Sequence, residues 1–415
     1  MDGKFRLSGA RLKHGKKNLI DAYNSVPQPT ARTVLGSEFF SNSPPSVFIG
    51  SKLKYPCVNV GIMAPPVRVE DSEIYDSHQR WVGENVPIGD ILKYRGNLIN
   101  SRFQSTVHAA RGHVGGKFFD AAREVGMAKN SVDMEIHLKK KVRLELSMDK
   151  VSKPIGAKAE LKNVRLTENI KVERNVDKVF SDTDLKAGEA LEYLYEKHVD
   201  DQKLSQLLSL GTLGIGKNRR LVPTRWSITT VDDTLGKKLI KEIKDHPVIS
   251  DYTLLFGNFL GNYYIVLLFP EIFSYELFEL YLPGSSWNPG ESLTVSTDYE
   301  SYGGRKSYAS NCVGGYYAAR LPLLEYLNKI KRQASALVVR FETPDYWAGL
   351  GVWVVRESMK KTMDNSKRLF AGKEEMLNHA RAITKEEFNF NLDEILKRSR
   401  LLESIKSQMK LTRFF

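Results

Sequence analysis

In VDMEIHLKKKVRLEL, residues 132–146, apolar side chains fall at every second position in two runs: Met134, Ile136 and Leu138, then Val142, Leu144 and Leu146. A period of two belongs to an extended chain with one face buried and the other wet. The segment therefore predicts two half-buried strands, and AELKNVRLTENIKVER downstream repeats the alternation. Strands of this kind need a sheet and a layer to cover it, so the body contains sheet.

Other stretches fill in the order. SPPSVFIGSKLKYPCVNVGIMAPP mixes prolines, glycines and short apolar triplets, which suits short strands joined by tight turns. In GDILKYRGNLINSRFQSTVHAA, Ile91, Leu92, Tyr94, Leu98, Ile99 and Phe103 read as a helical stripe. Residues 185–210 return to helical spacing. YTLLFG, YYIVLLF, ALVVRFE and LGVWVVRE read as strands, and a helix should run from Tyr316 through AARLPLLEYLNKIKRQ with Pro322 inside it. Near the end, Asn391 and Glu394 form a capping-box pattern before Leu392, Ile395, Leu402, Ile405 and Met409. The expected fold is α+β: a mixed body with mainly antiparallel sheets, a C-terminal helix and a projecting peptide. The expected organisation is a basic arm over 1–30, a core over 31–390, and a helix with peptide over 391–415.

The 415 residues are 41% hydrophobic and 27% charged, the balance of a folded soluble chain. No apolar run approaches the roughly 18 residues that span a bilayer, and no secretory signal opens the sequence. No membrane association and a cytoplasmic location are expected. Two cysteines, Cys57 and Cys312, suggest neither a disulfide framework nor a zinc ribbon. His108 and His113 are five apart, a spacing that does not align two ligands on one helical face, so no metal site is expected. The net charge of +13 fits phosphate backbones as a partner, or a proteome whose proteins run basic.

GTLGIGKN satisfies the glycine and lysine positions of a phosphate-binding P-loop through Gly211, Gly216 and Lys217. Asn218 stands where the magnesium-ligating Ser or Thr belongs, and the preceding DDQKLSQLLSL reads as helix where a strand is required. A basic loop is the better reading, and Lys217, Arg219, Arg220 and Arg225 are candidates for a nucleic-acid backbone. Asp232 and Asp233 could hold magnesium for phosphodiester chemistry, or cap the helix that follows them. Glu300 and Arg305, with Asp298, Tyr308 and Arg320, could line a cleft. No cofactor is called for, with magnesium the exception if the chain is enzymatic.

The sequence closes on QMKLTRFF. Gln408, Leu411, Phe414 and Phe415 stand at relative positions 0, +3, +6 and +7. On a tight helical turn, Leu411 and the two aromatics form a three-pronged apolar plug, and the Gln408 amide can bond a pocket rim. This is the spacing of the peptide carried by partners of the replication sliding clamp, PCNA. The alternative is that the rings fold onto their own core.

With that tail, PPSVFIGSKLKYPCVNVG, LGIGKNRRLVPTRWSITTVDD, DYESYGGRKSYA, GGYYAARLPLLEYL and GVWVVRE resemble the archaeal Nre DNA repair proteins, the NreA group. The resemblance covers the chain from about Pro44 onward. It implies a role in repairing damaged DNA, with recruitment to PCNA through Gln408, Leu411, Phe414 and Phe415. Many members look as though they begin with a cysteine-rich zinc-binding segment. This chain has no cysteine before Cys57, and the basic arm stands in that place. The resemblance supplies no catalytic motif. Three functions are therefore open: a clamp-recruited factor that binds DNA, a metal-dependent enzyme on damaged DNA using Asp232, Asp233 or Glu300, and a small-ligand enzyme with a cleft of Trp226, Tyr299 and Tyr308. The first is the expectation.

Overall fold

The computed structural model describes residues 34–52, 54–143 and 145–407. The basic arm, Leu144 and the peptide bearing Gln408, Leu411, Phe414 and Phe415 lie outside the described residues. Where the sequence suggests one core over 31–390, the structure falls into two compact units, divided between Leu235 and Gly236 inside a long helix.

The first unit contains β1 (Val34–Leu35), β2 (Glu38–Ser43), β3 (Val47–Ile49), β4 (Cys57–Ala64), α1 (His78–Gly83), α2 (Ile88–Gly96) and β5 (Ile99–Thr106). It continues through α3 (Gly116–Met127), β6 (Val132–Leu138), β7 (Val142–Arg143), β8 (Lys158–Leu166), α4 (Arg174–Ser181), α5 (Ala187–Glu196) and α6 (Asp201–Ser209). α7 (Thr224–Lys244) carries the boundary. Six strands pair in the order β2-β6-β8-β5-β4-β3, with only β5 and β8 parallel, and β1 pairs with β7. The alternation in β6 holds: Met134, Ile136 and Leu138 are buried, while Asp133, Glu135 and His137 between them are partly exposed. α3 packs on β4 and β8, and its Phe119, Ala122 and Val125 share one buried cluster with Val60, Ile62, Met134 and Ile136.

The stripe over 91–103 is corrected by the structure. It is helix only to Gly96, and from Ile99 it is β5. Sheet pairing overrides the helical spacing, because β5 is inserted between β4 and β8 and the Asn100 N–H donates to the Ala157 carbonyl at 2.7 Å. Gly156 permits that approach: a Cβ there would stand 2.2 Å from the Leu98 carbonyl oxygen.

The second unit contains β9 (Tyr252–Phe259), β10 (Asn262–Phe269), β11 (Ser274–Tyr281), β12 (Thr294–Glu300), α8 (Val313–Lys329), β13 (Ser335–Glu342) and α9 (Val352–Asp364). β14 (Arg368–Phe370), α10 (Lys373–Phe388), α11 (Asp393–Leu396) and α12 (Arg400–Ser407) follow. The strand order is β12-β11-β13-β10-β9-β14, and β11 with β13 is the one parallel pair of this sheet. One face packs Ile265, Leu267, Phe278, Val339 and Phe341 against Met376, Leu377, Ile395, Leu401 and Leu402 of α10 to α12. α9 packs on β9 and β10. Every residue of β13 is buried, which is why ALVVRFE reads as a continuous apolar run.

LGVWVVRE, expected as a strand, is the start of α9. Val352, Trp353, Val354 and Val355 are all buried, so the run carries no period by itself. The expected single C-terminal helix is present in two pieces. The Asn391 side chain accepts the Asp393 N–H at 3.2 Å and opens only the single turn of α11. Among the described residues no helix is long and apolar enough to cross a membrane.

Candidate nucleic-acid interface

Three segments of the first unit, residues 50–56, 107–117 and 217–226, together hold eight Lys or Arg and no Asp or Glu. Backbone hydrogen bonds stitch them into one rim at the end of the sheet. The Val107 N–H donates to the Pro56 carbonyl at 2.8 Å, and the Leu221 N–H donates to the Val107 carbonyl at 2.9 Å. The Thr224 hydroxyl accepts the Ile49 N–H at 2.9 Å, which ties the start of α7 to the end of β3. Arg111 Nε donates to the Arg219 carbonyl at 3.2 Å.

Five cations of the rim, Lys52, Lys54, Lys117, Lys217 and Arg220, are exposed. Arg225 is partly exposed, with Nη1 3.4 Å from Asp149 Oδ2. Two large aromatics share the rim: Tyr55 is 74% exposed and Trp226 is 50% exposed. The three segments thus carry many cations and no acid of their own, the charge pattern that a phosphate backbone would require.

Arg219, expected at a nucleic-acid backbone, is corrected. It is 7% exposed and spent on the protein itself. Nε donates to the Gly214 carbonyl at 2.8 Å, and Nη2 donates to the carbonyls of Phe180 and Asp182 at 2.7 and 3.0 Å. Its guanidinium also lies 5.2 Å from the centre of the Phe180 ring. The GTLGIGKN stretch is preceded by α6, not by a strand, and becomes a short 3-10 turn at Gly216–Asn218. Gly211 and Gly214 take positive φ there, at 65° and 102°. This is a pinned loop and not a phosphate cradle.

Asp232 and Asp233 lie inside α7, well past its first turn, so they do not cap it. Asp232 is fully buried and Asp233 partly exposed. Consecutive helical residues point in different directions, and neither carboxylate joins a group of three close His, Cys, Asp or Glu ligands among the described residues.

Glu300 and Arg305, in the second unit, are structural. Both oxygens of buried Glu300 accept Arg320 Nη1, at 3.1 and 3.0 Å, and Arg320 is 1% exposed. Arg305 donates to the carbonyls of Tyr299, Ser307 and Tyr308, and Nη1 stands 3.0 Å from Asp298 Oδ1. Asp298 Oδ2 in turn accepts the N–H groups of Asn311 and Cys312 just before α8, at 3.0 and 2.8 Å. These residues fix the loop between β12 and α8.

Sequence reasoning did not single out Lys52, Lys54, Tyr55 and Arg111 as site residues; the signal was the lack of acids around them. It also did not find a cavity of about 250 Å³ in the first unit, lined by Asp76, His78, Glu173, Asp200, Gln202 and Lys203 among others. Burial pushes the Asp76 carboxyl up, but Arg95 and Lys153, aided by the Ser46 hydroxyl, overcome this and hold it below the ordinary range. Burial lowers the Lys203 ammonium to about 8, against the opposing pull of Asp200 and Glu173. Its Nζ donates to the carbonyls of Gly126 and Ala128 at 2.9 and 2.5 Å, at the end of α3.

The family described as Archaeal Nre, N-terminal, matches residues 18–288, and Archaeal Nre, C-terminal, matches residues 300–414. The chain is 36% identical over 364 residues to the DNA repair protein NreA of Haloferax volcanii, covering 86% of each. It is 38% identical over 343 residues to the DNA repair protein NreB of Archaeoglobus fulgidus, covering 82% of this chain and 81% of that one. The NreA of the same organism is 36% identical over 348 residues, 83% of this chain and 85% of the other. No solved structure matches the chain. The chain belongs to the archaeal Nre family.

Proposed function

We propose that this protein is a DNA repair factor that holds DNA on the basic rim of its first unit and is recruited to PCNA through Gln408, Leu411, Phe414 and Phe415. The observation that carries the reading is the meeting of three acid-free segments in one rim, since a surface of that kind favours a polyphosphate backbone over most other partners. The names of its relatives, DNA repair proteins NreA and NreB, support the same role. The terminal spacing supports the clamp, and it follows directly on α12, which is anchored to the sheet through Ser399 and Glu276.

The readings that make Asp232, Asp233 or Glu300 metal ligands find less support, because these carboxylates are divided or already paired. Two titrations test the proposal. Duplex DNA should bind with an affinity that falls steeply with salt, and Lys217→Glu/Arg220→Glu should flatten that slope. PCNA should bind the full chain at least about a hundredfold more tightly than Phe414→Ala/Phe415→Ala, with the melting temperature unchanged. Salt-independent DNA affinity would sink the first half, and unchanged clamp affinity the second.

A further inference from the structure

Tyr55 and Trp226 stand in the rim among its cations. The Tyr55 hydroxyl lies 3.3 Å from His108 Nε2, with the two rings 6.3 Å apart and nearly perpendicular. With that contact made, Tyr55 is still 74% exposed. Trp226 sits in the first turn of α7, where its backbone N–H donates to the Pro223 carbonyl and its backbone carbonyl accepts the Thr230 hydroxyl, each at 2.8 Å, and its side chain is left exposed. A single exposed aromatic is ordinary on a protein surface. Two of them, on a rim whose three segments expose Lys52, Lys54, Lys117, Lys217 and Arg220 and contain no acid, form a different surface.

We infer that the rim takes single-stranded DNA, with bases stacking on Tyr55 and Trp226 while Lys52, Lys54, Lys217 and Arg220 follow the phosphates. This rests on the reading that the rim contacts DNA, and it names the substrate class. The chemistry separates two forms of the same polymer. In a duplex the faces of the bases are stacked on one another, so only the cations can engage it. A single strand offers phosphates and open π-faces together, and a stacked base adds affinity without regard to sequence.

The test is fluorescence anisotropy of the full chain with a labelled oligonucleotide of about 15 nucleotides and with its duplex, at one fixed salt concentration. The single strand should bind about tenfold tighter or more. Tyr55→Ala and Trp226→Ala should each weaken the single strand about fivefold or more, and leave the duplex within about twofold. Tyr55→Phe, which keeps the ring and loses the hydroxyl, should retain single-strand affinity. Melting temperatures check that the variants fold. Equal affinity for the two forms, or equal losses on both in the alanine variants, would overturn the inference while leaving phosphate contact in place. Binding to neither form would overturn the DNA reading itself.

Discussion

Glu276 on β11 accepts the Ser399 hydroxyl at 2.5 Å, and the same carboxylate accepts the N–H groups of Arg400 and Leu401, each at 3.0 Å. Ser399 Oγ also accepts the Leu402 N–H at 3.1 Å, so strand and side chain together cap α12. This buried cap breaks the C-terminal helix in two and fixes the root of the segment that leads into the terminal peptide. Glu276→Ala should lower stability by about 2–3 kcal/mol, since it strands a hydroxyl and two backbone donors. Hydrogen exchange should report the loss first at Leu401 and Leu402. Unchanged exchange at those amides would show that the cap does not hold the helix.

Glu300 and Arg320 form a buried pair in which removal of one partner leaves the other charge unmatched. Glu300→Ala should therefore cost about 3–5 kcal/mol in denaturant unfolding, and Glu300→Leu/Arg320→Met should recover part of that loss. A metal ligand would behave otherwise. An alanine variant with full stability would return Glu300 to the list of candidate ligands.

Lys203 gives a pH dependence with a definite sign. The unfolded lysine stays protonated to about 10.5, the folded one only to about 8. Below that window both states are charged and the cost of burying the ammonium is fully present. Between the two values the unfolded chain binds more protons, so stability rises with pH. Compared with Lys203→Met, the wild type should gain stability from pH 8 to 10. The upper bound is about 3 kcal/mol, reduced by water reaching the partly exposed side chain. A stability difference that stays flat from pH 7 to 10 would refute this.

β6 was legible by its period, which exists because one of its faces is wet. β13 has no period, being buried throughout, and was legible as a short apolar run rich in β-branched residues, while α8, buried without a break from Gly314 to Leu324, was legible by its length. α9 was misread because Val352 to Val355 are buried all round, and β-branched residues in such a run favour strand on local grounds. Its helical nature shows only further on, in buried Met359, Thr362 and Met363. At the site, charge was legible and use was not. Arg305 and Glu300 look like cleft residues in sequence, and their engagement with carbonyls and with Arg320 depends on chain segments brought together by folding.

Arg219 and Arg220 make that point testable, being adjacent, identical in chemistry and opposite in role. Arg219 closes on three carbonyls and on the Phe180 ring, while Arg220 is exposed and has no side-chain hydrogen bond or ion pair to another described residue. Truncating Arg219 strands those buried acceptors, so Arg219→Ala should lower stability by about 2–3 kcal/mol. DNA affinity should then fall only as far as the loop loosens. Arg220→Ala should leave the melting temperature within about a degree, because exposed cations contribute little to folding. It should instead reduce the slope of log affinity against log salt by about one phosphate contact. If the two variants exchange these signatures, the 217–226 segment is not held as the hydrogen bonds of Arg219 require, and the rim built on it falls with it.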